Sequence, residues 1–264
     1  MKSSSDLQRY RMRLAFDGTH YYGWQRLGHV SPTIQEVLEE ALSEFFAQKI
    51  TVMGSGRTDA GVHSRGQEAH FDAPLDPKRI TKLHRALQRL TPHDIIIRKV
   101  WLAPPDFHAL ASSLKKTYVY KVQTGGDPDI FQLRYSHWHN KELNLERLQA
   151  YADFLVEKQD FKSFMTSGST VKTTVREMFE AQWKQKNRHQ FEFWITGGGF
   201  LKQMVRNLVG TMLDLDKTRE PPIAMKKILE ARDRRRALST APAQGLTMHK
   251  VHYPEVLDRR CRRI

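Results

Sequence analysis

Gly54-Ser55-Gly56-Arg57-Thr58-Asp59-Ala60-Gly61-Val62-His63 sets one carboxylate among three glycines, directly after a short apolar stretch expected to be a strand, Ile50 to Met53. Glycines gather where the backbone must take unusual dihedrals or where a ligand comes close. An ordinary turn uses the same composition, so from the residues alone both readings stand. Working outward toward the N-terminus, Met12, Leu14 and Phe16 alternate with Arg13, Ala15 and Asp17. That period of two predicts a half-buried strand, closed by the turn composition Asp17-Gly18-Thr19. A helix is expected over 33–46, because Ile34, Val37, Leu38, Ala41, Leu42 and Phe45 recur at helical spacing and Thr33 with Glu36 forms a capping-box pattern. On the C-terminal side, Glu68 to Phe71 reads as a strand. Ile80 to Leu90 reads as a helix flanked by Pro77 and Pro92, and Ile95, Ile96, Ile97 and Val100 as a further strand. Residues 1–10 are polar and expected to fray.

Pro104-Pro105 is the expected boundary between two halves. Beyond it the order of elements recurs without a repeat in sequence. Tyr118, Tyr120 and Val122 alternate, Leu145 to Val156 is an amphipathic helix, and Phe179, Ala181, Trp183 with Phe191, Phe193, Ile195 form a hairpin around Lys186-Asn187. Helices are expected from Phe200 to about Leu213 and from Ile223 to Ala231, and a last strand over Leu246 to Tyr253. Strands and helices mixed in this way, with hairpins as well as crossovers, predict two α+β halves. Their expected bounds are 11–105 and 106–254, followed by a basic tail, 255–264.

The 264 residues carry 43 Lys and Arg against 29 Asp and Glu, a net charge of +14, which points to a polyanionic partner. Hydrophobic residues make up 39%, enough for a sizeable core and too many for a disordered chain. Cys261 is the only cysteine, so no internal disulfide can form, which suits a reducing compartment. No stretch reaches the ~18 apolar residues of a membrane span, and the N-terminus lacks the apolar core of a signal peptide. The expectation is a soluble, cytoplasmic protein. Arginine runs at 232–236 and 259–263 read either as solvated faces or as phosphate contacts.

Twelve histidines raise the question of a metal, with His137-Trp138-His139 and His249/His252 the closest pairs. Without a cysteine cluster or a His-Glu-x-x-His helix, no metal site is assigned. Gly197-Gly198-Gly199 stands between a strand and a helix, yet no Walker A or dinucleotide fingerprint accompanies it, and close backbone approach explains it better. On the helix that follows, Gly199, Gln203, Arg206 and Gly210 share one face and Met204, Leu208 and Met212 another. Arg206 therefore points away from the core stripe, either to solvent or toward something that approaches its small-residue face.

The stretch Gly56 to His63, continuing through Gly66-Gln67 and Ala69-His70-Phe71, resembles the signature of the tRNA pseudouridine synthase A family. Further blocks agree: Phe16-Asp17-Gly18-Thr19 with Tyr22-Gly23-Trp24-Gln25, Thr33-Ile34-Gln35 with Leu38 to Leu42, and Lys116-Thr117-Tyr118-Val119-Tyr120. Phe200 to Asn207 and Ala241-Pro242-Ala243-Gln244-Gly245-Leu246 complete the set, so the resemblance spans about 12–253. One departure is Leu110, where the family usually has arginine, and it removes one expected polar or phosphate contact.

The resemblance implies two ferredoxin-like or RRM-like α+β halves with mainly antiparallel sheets and a basic active-site cleft between them. It implies a homodimer that converts uridines 38, 39 and 40 of the tRNA anticodon stem-loop to pseudouridine, with no cofactor or metal. By the same resemblance Asp59 is the catalytic aspartate, Arg206 its paired arginine and Tyr118 the tyrosine stacked on the target base. Arg57 matches the residue that helps hold the flipped nucleotide, and His63 and Gln67 are expected to bind substrate. Two other readings remain at this stage: a synthase acting on another RNA or tRNA position, and a non-catalytic RNA-binding protein on the same fold. The retained Asp59, Tyr118 and Arg206 favour the enzyme, since binding a polyanion needs no aspartate facing it.

Overall fold

In the computed structural model, which describes residues 7–168 and 171–264, the alternation at Met12, Leu14 and Phe16 becomes β1 (Leu7–Phe16). The chain continues through α1 (Ile34–Phe46), β2 (Met53–Gly54), β3 (His63–Pro74), α2 (Pro77–Ile80), α3 (Leu83–Leu90) and β4 (Ile95–Leu102). It goes on through β5 (Lys115–Thr124), β6 (His137–His139), α4 (Leu145–Asp153), β7 (Glu157–Asp160), β8 (Val175–Asn187), β9 (Gln190–Gly197) and α5 (Met204–Thr218). It ends with α6 (Ile223–Ala231), β10 (Leu246–His252), α7 (Glu255–Arg260) and β11 (Arg262–Arg263). These elements form two compact units, residues 7–114 with Met248–Ile264, and Lys115–Thr247. Each unit is α+β with a mainly antiparallel sheet, as the sequence pattern predicts. Among the described residues, no helix is long and apolar enough to cross a membrane.

In the first unit β1 lies between β3 and β4, Met12 standing opposite both Ala69 and Val100. One face of β1 presents Tyr10, Met12 and Leu14, all fully buried in one core with Ile34, Leu38 and Leu42 of α1. The capping box at the start of α1 is complete: Thr33 accepts from the Glu36 amide and Glu36 accepts from the Thr33 amide. Such a cap contributes about 1 kcal/mol. The other face of β1 carries Arg9, Arg11 and Arg13, matched across the ladder by Asp72 and Glu68. Buried Ile50 and Val52 do not form the expected strand, and β2 is confined to Met53–Gly54. Their amides are taken instead by side chains of α1, Ile50 by the Ser43 hydroxyl and Val52 by the Glu39 carboxylate. The helix expected from Ile80 to Leu90 is two pieces, since Asp76 caps a first turn that begins at Pro77. The strand begins at Leu7, so the expected fraying does not extend to residues 7–10, and residues 1–6 lie outside the described part.

The bounds of the units differ from the expected ones. Residues 106–114 pack with the first unit: Phe107 and Ala109 are fully buried, and the Ala109 amide donates to His70 Nδ1 at 3.1 Å. The stretch 255–264, expected to be a basic tail, also belongs there. Arg11 pairs with Asp258 at 2.5 Å, Arg260 grips Asp106 with two bonds, β11 adds to the edge of β4, and the Ile264 amide donates to Val100 O.

In the second unit β9 pairs with β5 and β8, β7 extends the sheet beyond β8, and β6 runs parallel to β5. The expected β8–β9 hairpin forms, with one difference. A register shift between Met178 and Glu180 turns Met178 inward and leaves Phe179 47% exposed. A bulge adds one residue and so reverses the facing of its neighbours. Helix α5 starts at Met204 rather than Phe200, because Gln203 takes φ +58°, a left-handed conformation that a helix cannot include. Gly199 and Gln203 therefore do not share a helical face with Arg206. Helix α4 ends at Asp153, three residues before the expected Val156, and α6 spans Ile223–Ala231 as expected.

Candidate active site

Residues 55–62 run from β2 to β3 as a loop braced from two directions. From below, Gln67 of β3 is fully buried; its Oε1 accepts from the Ser55 hydroxyl at 2.6 Å and the Glu68 amide at 3.2 Å. Its Nε2 donates to Gly56 O at 2.8 Å, and the Ser55 amide donates to Glu68 O. From the side, the segment after β1 supplies two backbone bonds: Trp24 N–H donates to Thr58 O, and Gly61 N–H donates to Tyr21 O. Gly23 makes that approach possible. Its φ is +89°, and a Cβ there would sit 2.4 Å from Thr58 O.

The turn is closed by Val62 N–H donating to Asp59 O, with Val62 buried beneath. Asp59 is half-buried on this turn, and Arg57 on the same loop is exposed. Between them Thr58 is buried, and its hydroxyl oxygen has no hydrogen-bond partner among the described residues.

His63 and Gln67, expected to bind substrate, lie under the loop rather than on it. His63 is 4% exposed; its Nδ1 accepts from the Gly18 amide at 3.1 Å and stands 3.1 Å from Asp17 Oδ1. Gln67 thus braces the loop that carries Arg57 and Asp59 through Ser55 and Gly56, whereas His63 meets the turn after β1 at Gly18 and Asp17.

Tyr118 and Arg206 belong to the second unit. Tyr118 of β5 faces Ile195 across the ladder, and its ring meets the Phe200 ring edge-on at 4.8 Å. At 7% exposure it is less covered than Tyr120 and Val122 on the same face. The Tyr120 hydroxyl donates to Pro242 O, and burial pushes its pKa up, opposed by the nearby charge of Arg206. Burial also pushes the Lys116 ammonium down. Arg206 Nε donates to Ala241 O at 2.8 Å, and Ala241 N–H returns a bond to Arg206 O. What approaches the small-residue face of α5 is thus the chain itself. A Cβ on Gly210 would lie 2.1 Å from Ser239 O.

Sequence reading missed the supports of these residues. Ser55, Trp24 and Asn207 carry no chemistry-bearing pattern of their own, although the last two fall within blocks of the family signature. The 232–236 run divides by position: Arg235 forms an exposed pair with Asp233, whereas Arg234 turns inward. Leu110, where the family usually has arginine, is exposed on a turn whose Leu110 and Ala111 amides donate to His108 Nδ1. Among the described residues, no group of three or more His, Cys, Asp or Glu side chains is placed to hold a metal ion.

A family model described as tRNA pseudouridine synthase matches residues 13–109 and 154–254 of the chain. A protein of Bdellovibrio bacteriovorus named tRNA pseudouridine synthase A is 44% identical over 254 residues, covering 95% of this chain and 97% of that one. Proteins of the same name from Geobacillus kaustophilus and Bacteroides fragilis are 38% and 36% identical over 252 residues. Each of these covers 94% of this chain, and they are matched over 95% and 98% of their own lengths.

Proposed function

The chain belongs to the tRNA pseudouridine synthase family, isomerases of uridine in tRNA, and from that we propose that Asp59 carries the reaction here, on uridines 38, 39 and 40 of the anticodon stem-loop. The observation that supports Asp59 most is its place on a loop held from two sides by Gln67 and by the Tyr21–Trp24 backbone. A reacting carboxylate must be held in a near-attack position, and a braced turn does that.

The reaction breaks the C1′–N1 bond, turns the uracil, joins C1′ to C5, takes the proton from C5 and places one on N1. Product and substrate have the same composition, so no electrons are gained or lost. Whether the carboxylate attacks C6 of the uracil or assists at ribose C1′, it acts as the anion. Burial under a bound nucleotide favours the protonated form, and a guanidinium opposes that. Arg206 supplies this charge in the proposed mechanism. The base must leave its stack to be reached, and the ring of Tyr118 replaces the lost stacking, worth roughly 1–3 kcal/mol per base. Its hydroxyl takes the C5 proton in the last step. Arg57, exposed beside Asp59, helps to hold the flipped nucleotide, and the +14 charge binds phosphates. The working form in this reading is a cytoplasmic homodimer that uses no cofactor.

Asp59→Asn tests the assignment. Pseudouridine formation should be abolished while tRNA affinity stays close to that of the unmodified protein, because positioning comes mostly from phosphate contacts. Turnover at a tenth of the normal rate or better would remove Asp59 from the chemistry. Mapping pseudouridines in tRNA from cells lacking the gene tests the positions, with loss expected at 38–40.

A further inference from the structure

Arg234 lies in the arginine run that the sequence offers as a phosphate contact, yet both terminal nitrogens of its guanidinium are bonded within the second unit. Nη1 donates to Ala237 O at 3.0 Å and Leu238 O at 3.2 Å, and Nη2 to Asn207 Oδ1 at 3.1 Å and Thr240 Oγ1 at 3.0 Å. These bonds close residues 237–241 into a strap along one face of α5. Leu238 N–H donates to Thr211 Oγ1, Ser239 N–H to Asp214 Oδ2, and the Thr240 hydroxyl to Asn207 Oδ1 at 2.6 Å. The strap ends at Ala241, whose carbonyl receives Arg206 Nε. Asn207, next to Arg206 in the chain and fully buried, is anchored on its other side by Nδ2 donating to Phe164 O.

We propose that Arg234 is a positioning residue for Arg206. It holds the strap at Ala237, Leu238 and Thr240, one residue before the Ala241 carbonyl that orients the Arg206 guanidinium, and it does not bind tRNA phosphates. The proposal rests on the reading of Arg206 as the charge that keeps the catalytic carboxylate ionised. A guanidinium serves here because four acceptors lie around it in a fan, which a planar group with five N–H donors can meet and an ammonium cannot. Releasing the strap leaves the charge of Arg206 in place but not its direction, and a displacement of about 1 Å in such a group can cost ~100-fold in rate.

The test is Arg234→Ala and Arg234→Lys, each in the wild-type and in the Arg206→Ala background, with single-turnover rates across pH and tRNA affinity across salt. Arg234→Ala should lower the rate at least ~10-fold, shift the acid limb of the pH–rate profile upward in the direction expected of Arg206→Ala, and leave the salt slope of binding unchanged. Arg234→Lys should recover part of the rate. In the Arg206→Ala background the further loss should be less than about 2-fold, since the group being positioned is gone. Thr240→Val, which removes one bond of the clamp, should give the same pattern more weakly, and it serves where Arg234→Ala fails to fold. A salt slope reduced by about one with the rate preserved would make Arg234 a phosphate ligand and overturn the proposal. Losses that multiply fully in the Arg206→Ala background would overturn it too. An Arg206→Ala protein with a normal rate and pH profile would instead overturn the reading of Arg206 itself.

Discussion

Replacing Gln67 by leucine keeps the bulk of the side chain and removes both of its polar ends. The Ser55 hydroxyl, in a residue with no exposure, loses its acceptor at 2.6 Å, and the Glu68 amide its longer contact at 3.2 Å; Gly56 O, on a half-buried residue, loses its donor at 2.8 Å. An unmet buried polar group costs about 1–3 kcal/mol, and the half-exposed carbonyl regains part of that from water. The sum is roughly 2–4 kcal/mol. At ~2–4 °C per kcal/mol for a chain of this size, the melting temperature should fall by about 5–15 °C. With its lower anchor gone, the loop that carries Asp59 samples other positions, so the single-turnover rate should drop at least ~10-fold while tRNA affinity changes less than about 2-fold. Thermal unfolding, filter binding and single-turnover assays read these three quantities. Ser55→Ala combined with Gln67→Leu removes the stranded hydroxyl and should recover more than half of the lost stability without restoring the rate. A Gln67→Leu protein of normal stability whose tRNA affinity falls tenfold would refute the reasoning and return Gln67 to substrate binding.

Two further outcomes follow from the same geometry. Burial, helped by the charge of Arg9, lowers the His70 pKa from 6.5 to about 4, and its Nδ1 accepts from Ala109 N–H, so the ring is neutral in the fold. Because the folded value lies below the unfolded one, stability is complete above pH 6.5 and declines as pH falls toward 4; at pH 5 the loss is on the order of 1–2 kcal/mol. An imidazole titration midpoint at or above 6.5, followed by NMR, would contradict this. Tyr118→Phe should stay folded and keep tRNA binding yet slow tritium release from C5-labelled uridine by at least ~100-fold, the low end for loss of a general base. Normal release by a folded Tyr118→Phe protein would leave Tyr118 as a core residue like Tyr120.

Local patterns carried much of this architecture. The two-residue period of β1 and β5, the capping box of α1 and the exact span of α6 depend on neighbours a few positions apart, which any reader of the chain can see. The Asp59 loop stood out for a similar reason, since three glycines around one carboxylate are a local signal. The exceptions came where distant segments meet. Phe179 faces outward because a bulge inserts a residue against β9, and Gln203 stops a helix that its apolar stripe would continue. Ile50 and Val52 alternate like a strand, but side chains of α1 reach their amides before a ladder can form. Gln67 and His63 sit in the family motif beside Asp59, and only the packing of β3 under the loop brings the Gln67 amide to Ser55 and Gly56 and the His63 ring to the Gly18 amide. Arg234 is the clearest case. In sequence it is one arginine among four within five residues, and its partner Asn207 lies 27 positions away. Whether such a side chain meets water, phosphate or a fan of its own carbonyls is decided by what tertiary contact brings within about 3 Å, a distance that no spacing along the chain encodes.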